Sequence, residues 1–394
     1  MLYWPFHFML ALTARALLTP LERIEHPLVV IEDGRITSIA AQSHAEPPPG
    51  AKHVDFGEHI LAPGLVDIHV HGGAGYDVMQ DDDSGRRRFE EFLARHGVTS
   101  YYPTTVTAPL DAILRALGRL AIAIEAAQKS PDQRAQPLGI HLEGPFLSHL
   151  RRGVHPPEDL LAPDLNTFDK LWQASRGQIR LMTVAPELPG ATEVIAEASK
   201  RGVCVSVGHS DASLDQTRAA VTVGARHATH TFNAMRPLDH RDPGILGEVL
   251  SNPSLTADII ADGVHVHPSI VHLFLGTKGA DRAVLITDAT AATGMPDGRY
   301  QLGSLEVDVR DGKCLHGGKL AGSVLTLDRA IRNVMTFAGW ELQQTLRLAT
   351  LNPAKVAGAE RKGTIAIGSD ADFAVLNSSG EVQASVVKGT LVKR

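Results

Sequence analysis

Eight apolar, strand-like runs constrain this chain more than any other feature. They lie at Leu65–His71, Thr99–Pro103, Leu138–Glu143, Ile179–Val184, Val203–His209, Ala225–His230, Leu255–Ile260 and Ala283–Asp288. Helical patterns such as Pro109–Ala127 and Ala191–Arg201 separate most of them. A strand that is apolar on both faces needs cover on both, and intervening helices provide it in a parallel sheet. Eight such units predict a (β/α)₈ TIM barrel. The stretch Tyr300–Leu320 reads as extra hairpins after the eighth strand.

The two ends read differently. Pro27 to Ile31, an Asp33-Gly34 turn and Arg35 to Ala40 give a hairpin signal, and Pro47-Pro48-Pro49-Gly50 is a loop. Gly363 to Ile367, Asp372 to Leu376 and Ala384 to Val392 read as further strands. The 394 residues exceed the usual size of one domain. The expectation is a small β-sandwich domain built from 1–62 plus 354–394, around a barrel spanning 63–353.

A net charge of −6 argues against a nucleic-acid or anionic-membrane surface, which needs clustered base. The opening MLYWPFHFMLAL is apolar, but it lacks a basic leader and a small-residue cleavage site, and Pro5 and His7 interrupt it. No run approaches the length of a membrane span. Cys204 and Cys314 cannot make a disulfide framework, which fits a reducing, cytoplasmic setting.

Nineteen histidines is a high count, and several sit where strands should end. The active site of a TIM barrel lies at the C-terminal ends of its strands. In L-V-D-I-H-V-H-G-G, alternation puts Asp67, His69 and His71 on one face. Two imidazoles at i and i+2 can approach one metal, although hydrogen-bonded loop histidines fit that pattern as well. G-I-H-L-E-G-P places His141 and Glu143 inward, and a buried Glu143 calls for a cation. The fifth, sixth and eighth strands end in His209, His230 and Asp288, with Asn233 just beyond His230. Imidazole and carboxylate from five strands at one rim point to a metal, with Zn²⁺ the best fit and Fe²⁺ or Mn²⁺ alternatives. Such an ion polarises a carbonyl and acidifies water, and Asp288 is placed to move the proton to a leaving amine. The chemistry is hydrolysis of a C–N amide bond.

At these residues the chain resembles the amidohydrolase superfamily and, within it, the N-acetylglucosamine-6-phosphate deacetylases. The resemblance covers essentially the whole chain. It rests above all on H-L-E-G-P-F at 141–146, T-H-T-F-N-A-M at 229–235 and A-D-G-V-H at 261–265. P-G-L-V-D-I-H-V-H-G at 63–72, V-G-H-S at 207–210, R-D-P-G at 241–244 and L-I-T-D-A-T at 285–290 extend it. It implies that Glu143, His209 and His230 hold the main metal and that Asp288 is the general base and acid. It implies that His155 contacts the sugar and polarises the acetyl carbonyl. Asn233, the backbone at Ala234, and His265 would bind substrate. Arg241 would reach the phosphate across a homodimer interface. The fourth strand, I-R-L-M-T-V-A-P-E, has no lysine to bridge two metals, so Glu143 takes that work. His69 and His71 are both present, giving a second metal position and one or two ions per subunit.

The implied substrate is N-acetylglucosamine 6-phosphate, in amino-sugar catabolism and cell-wall recycling. The rival readings are another amidohydrolase acting on cyclic amides, N-acyl amino sugars or N-acyl amino acids, and a barrel kept only as a scaffold. The missing lysine counts against the cyclic-amide reading, and the Arg241–His265 pair counts against a non-phosphorylated substrate. Retention of every expected metal and base residue counts against the scaffold. The basic, Gly-containing loop from Phe146 to His155 is expected to close over substrate.

Overall fold

Every one of the eight runs forms a strand in the computed structural model, which describes residues 9–129 and 133–393. The strands are Leu65–Val70, Val98–Thr105, Ile140–Glu143, Ile179–Val184, Cys204–Val207, Ala225–Ala228, Ala257–Ile260 and Ala283–Ile286. The first six pair in chain order and in parallel. The last two pair with each other, also in parallel. A few backbone hydrogen bonds join the remaining neighbours. Thr256 N donates to Arg226 O at 3.1 Å between the sixth and seventh strands, and His71 N donates to Ala289 O at 2.8 Å beside the first and eighth.

Helices cover the outer face of this sheet. Helix Leu110–Lys129 buries Ile113, Leu117, Leu120 and Ile124, an i, i+3, i+4 stripe that packs into the main apolar core. The strands supply the facing side with residues such as Ile140, Leu181, Val205 and Leu285, all buried. Tyr300–Leu320 is the expected insertion: a four-stranded antiparallel meander of Gly298–Leu302, Leu305–Arg310, Lys313–His316 and Lys319–Leu320.

Both ends of the chain form two further sheets. Met9–Thr13, Pro27–Glu32, Arg35–Ala41 and Lys52–Asp55 make one. Ala16–Leu18, Arg23–Glu25 and Ile60–Pro63 join Phe373–Leu376, Val382–Val387 and Thr390–Lys393 in the other. Ile60–Pro63 pairs antiparallel with Phe373–Leu376. Leu10, Leu12, Val29, Leu61, Phe373 and Val375 fill a shared apolar core. The sequence reading of residues 1–8 lies outside the described residues.

Two expected strands differ. Gly363–Ile367 is not a strand: Gly363 adopts φ +67, and a Cβ there would lie 2.3 Å from Thr350 O, so the chain turns against a helix end. Ala384–Val392 is two strands, folded at Lys388 (φ +44) and Gly389 (φ +80), a pair of positive φ values that matches the twist of a tight hairpin.

Candidate active site

The fifth and sixth strands stop at Val207 and Ala228, two residues before their histidines. His209 (φ +47), His230 (φ +29) and Asp288 (φ +51) all have left-handed backbones just past a strand end. Non-glycine residues adopt this conformation at a cost of about 1–3 kcal/mol each, and such strain gathers at functional sites. Here the bend turns three side chains into the mouth of the sheet.

The side chains meet around Glu143. One carboxylate oxygen lies 3.2 Å from His209 Nε2 and 3.1 Å from His230 Nε2, and those two nitrogens are 3.0 Å apart. The other oxygen lies 3.2 Å from His71 Nε2 and 3.5 Å from His69 Nε2. Asp288 Oδ1 sits 3.1 Å from His71 Nε2. Ligand atoms about 2.1 Å from one tetrahedral ion are themselves about 3.4 Å apart, so the nitrogens already hold ligand spacing. Among the described residues, two groups of three bring their ligand atoms within 4.8 Å: His69, His71 and Glu143, and Glu143, His155 and His209.

Outer partners orient the rings. His71 Nδ1 faces Thr104 O at 3.1 Å, and His209 Nδ1 faces Arg151 O at 3.0 Å, which leaves each Nε2 as the inward-facing atom. Asp258, fully buried, accepts from His227 Nε2 at 3.0 Å and from the backbone N–H of His230.

Charge in this cluster favours a cation. Burial opposes ionisation of Glu143, yet the surrounding imidazoles hold its carboxyl well below the usual range. Asp288 is likewise drawn down to about 2 against its burial, by His69 and His71. Burial also opposes a charge on His71 and His230, but hydrogen bonds to the carboxylates push them up to about 10 and about 9. Ionised carboxylates facing imidazoles that draw protons form a donor set suited to a divalent ion.

His155 differs. Burial, with His209 nearby, pushes it down to about 3, so the ring is neutral at pH 7. Its Nδ1 accepts from Thr107 Oγ1 at 2.8 Å and from Thr107 N at 3.3 Å, leaving Nε2–H as a donor. His141 lies one layer deeper, between Thr104 and Thr183, and its ring meets His69 edge-on. Asp67 does not reach the rim. It accepts from Thr287 Oγ1 at 2.6 Å, and burial pushes it up to about 6.

A cavity of about 150 Å³ joins His71, Glu143, His155, His209, His230 and Asp288. Asn233, Ala234 and His265 also line it. His265 Nδ1 faces Asp262 Oδ2 at 2.7 Å, so its Nε2 is the free atom. Arg241 is exposed and outside the cavity, its backbone N–H donating to Asp239. Sequence reasoning missed Val106, Val154, Leu302 and Leu320, which also line the cavity. It missed Asp258 too, although a charged residue inside Ala257–Ile260 was a visible signal.

The amidohydrolase family pattern matches residues 60–392. The N-acetylglucosamine-6-phosphate deacetylase of Lysinibacillus sphaericus is 38% identical over 357 residues, 90% of each chain. The N-acetylgalactosamine-6-phosphate deacetylase of Escherichia coli O157:H7 is also 38% identical, covering 96% of this chain and 98% of that one. The N-acetyl-D-glucosamine-6-phosphate deacetylase of Mycobacterium smegmatis, solved with N-acetyl-D-glucosamine-6-phosphate, superposes with a TM-score of 0.91. It is 36% identical and covers 98% of this chain and 100% of its own. With this fold and these site residues, the chain belongs to the amidohydrolase family, in its N-acetylglucosamine-6-phosphate deacetylase branch.

Proposed function

We propose that this chain hydrolyses the acetamide of N-acetyl-D-glucosamine 6-phosphate to glucosamine 6-phosphate and acetate. The observation that carries it is one cavity shared by the Glu143 cluster, Asp288, His155, Asn233 and His265. The likeness to a deacetylase solved with that sugar phosphate supports it. Glu143, His209 and His230 hold the main metal, with His69 and His71 beside Glu143 as a second position. Zn²⁺ is the favoured ion, with Fe²⁺ or Mn²⁺ as alternatives. The bound ion supplies Lewis acidity, polarising a carbonyl and acidifying water.

Asp288, ionised at neutral pH, takes the proton of the attacking water and passes it to the leaving amine. Neutral His155 donates Nε2–H to the acetyl oxygen. Asn233, the backbone at Ala234, and His265 hold the sugar phosphate. Arg241, exposed in its own subunit, closes the phosphate site of the partner in a homodimer, a guanidinium being the stronger clamp. The eight strands close as a (β/α)₈ barrel over 63–353, with 1–62 plus 354–394 as a β-sandwich. The setting is cytoplasmic, in amino-sugar catabolism and cell-wall recycling; among the described residues no helix is long and apolar enough to cross a membrane.

A second reading, N-acetylgalactosamine 6-phosphate, is favoured by the relative of that specificity, similar over nearly the full length. Acetate release from each sugar, with and without the 6-phosphate, tests both. Chelator-sensitive turnover of the phosphorylated glucosamine sugar is expected. Turnover that ignores the phosphate would refute the phosphate assignment.

A further inference from the structure

The polar residues account for one side of the cavity. Val106, Val154, Leu302 and Leu320 line another. Val106 follows the second strand, Val154 precedes His155, and Leu302 ends the first strand of the meander. Behind them lies a separate apolar cluster in which Val106 and Leu302 join Val307, Val309, Cys314 and Ala321, with Val154 packed alongside. Val106 and Leu302 are each 3% exposed, so neither can move aside without opening a void in that cluster. The next turn fixes the depth of this wall. Gly303, at φ +59, is so close that a Cβ there would lie 2.9 Å from Val106 Cγ1. Its N–H also donates to Asp77 Oδ2 at 3.0 Å.

We propose that this wall is an acyl subsite, in which Val106, Val154 and Leu302 limit the acyl group to two carbons. The inference rests on the deacetylase reading above. With the eight strands closed as the barrel proposed above, Asn233 and His265, which follow the sixth and seventh strands, stand across the ring from Val106, which follows the second. A substrate with its phosphate at His265 and its amide between Asp288 and His155 therefore directs its acyl methyl toward Val106 and Leu302. His155 belongs to that side, because its Nδ1 is tied to Thr107, the neighbour of Val106. An apolar surface there suits a methyl group, and its packed backing leaves a longer chain no room.

The test compares kcat/KM of metal-loaded protein for N-acetyl-, N-propionyl- and N-butyrylglucosamine 6-phosphate. The wild type should prefer acetyl over butyryl by about 100-fold, and Leu302→Ala should reduce that preference at least about tenfold. Val106→Ala should shift the ratio in the same direction, whereas Asn233→Ala should lower all three rates together. Each ratio is taken within one preparation, so partial misfolding cancels. Acetyl hydrolysis with ratios unchanged in both Leu302→Ala and Val106→Ala overturns the subsite alone. A wild type that hydrolyses no N-acetyl sugar phosphate overturns the deacetylase reading, and the subsite with it.

Discussion

Asp288 combines a left-handed backbone, an ionised carboxylate and a place 3.1 Å from His71 Nε2. Asparagine tolerates the same backbone but cannot accept a proton. Asp288→Asn should therefore keep its unfolding temperature and metal content while kcat falls by about 10²–10⁴. A near-normal kcat would remove Asp288 as the base. Lys278 offers a test away from the site. It is buried, and its Nζ donates to Val249 O at 2.8 Å and Asn252 O at 3.2 Å. Burial, with Arg282 nearby, pushes it from 10.5 down to about 8. Between those values the unfolded chain holds a proton that the folded chain has released, so stability rises with pH across that window. Urea unfolding from pH 8 to 10.5 should show the wild type gaining up to about 3 kcal/mol relative to Lys278→Met. A constant difference between the two would contradict the burial argument. The site histidines were legible because strand ends could be located from apolar runs. Asp67 was legible as inward-facing, but its tie to Thr287 needed the eighth strand placed beside the first.

At the scale of elements, legibility followed local chemistry. Alternation and apolar runs located all eight central strands, and the Asp33-Gly34 pair, with φ of +48 and +77, made the hairpin that it announced. Turns without such a signal were read through: Lys388-Gly389 folds a predicted single strand in two. The apolar wall of the cavity was not legible, because Val106, Val154 and Leu302 come from three segments that only tertiary structure brings together. Gly363 shows the converse, a residue placed in a strand whose contacts forbid a side chain. Gly363→Ala should lower stability by about 2 kcal/mol or more, read as a lower urea midpoint with unchanged slope. A neutral result would mean that the helix end at Thr350 can yield.

The whole molecule sets how the phosphate is held and how the ends are joined. Arg241 is exposed and does not line the cavity of its own chain, so its proposed role calls for a second subunit. Mixing Arg241→Ala subunits with Asp288→Asn subunits should restore part of the activity that each homodimer lacks. No recovery in verified hybrids would argue against a shared site. The pairing of Ile60–Pro63 with Phe373–Leu376 has a consequence for how the protein is made. On the ribosome the early strand emerges about three hundred residues before its partner. At about 5–20 residues per second, that is a wait of roughly 15–60 s. Through that interval Ile60–Pro63 stands without its partner strand, with an edge open to other nascent chains, while the sheet of Met9–Asp55 already has all four of its strands. The strands from Phe373 to Lys393 thus act as a clasp, and the sheet they share with Ile60–Pro63 is completed only after all eight central strands have been made.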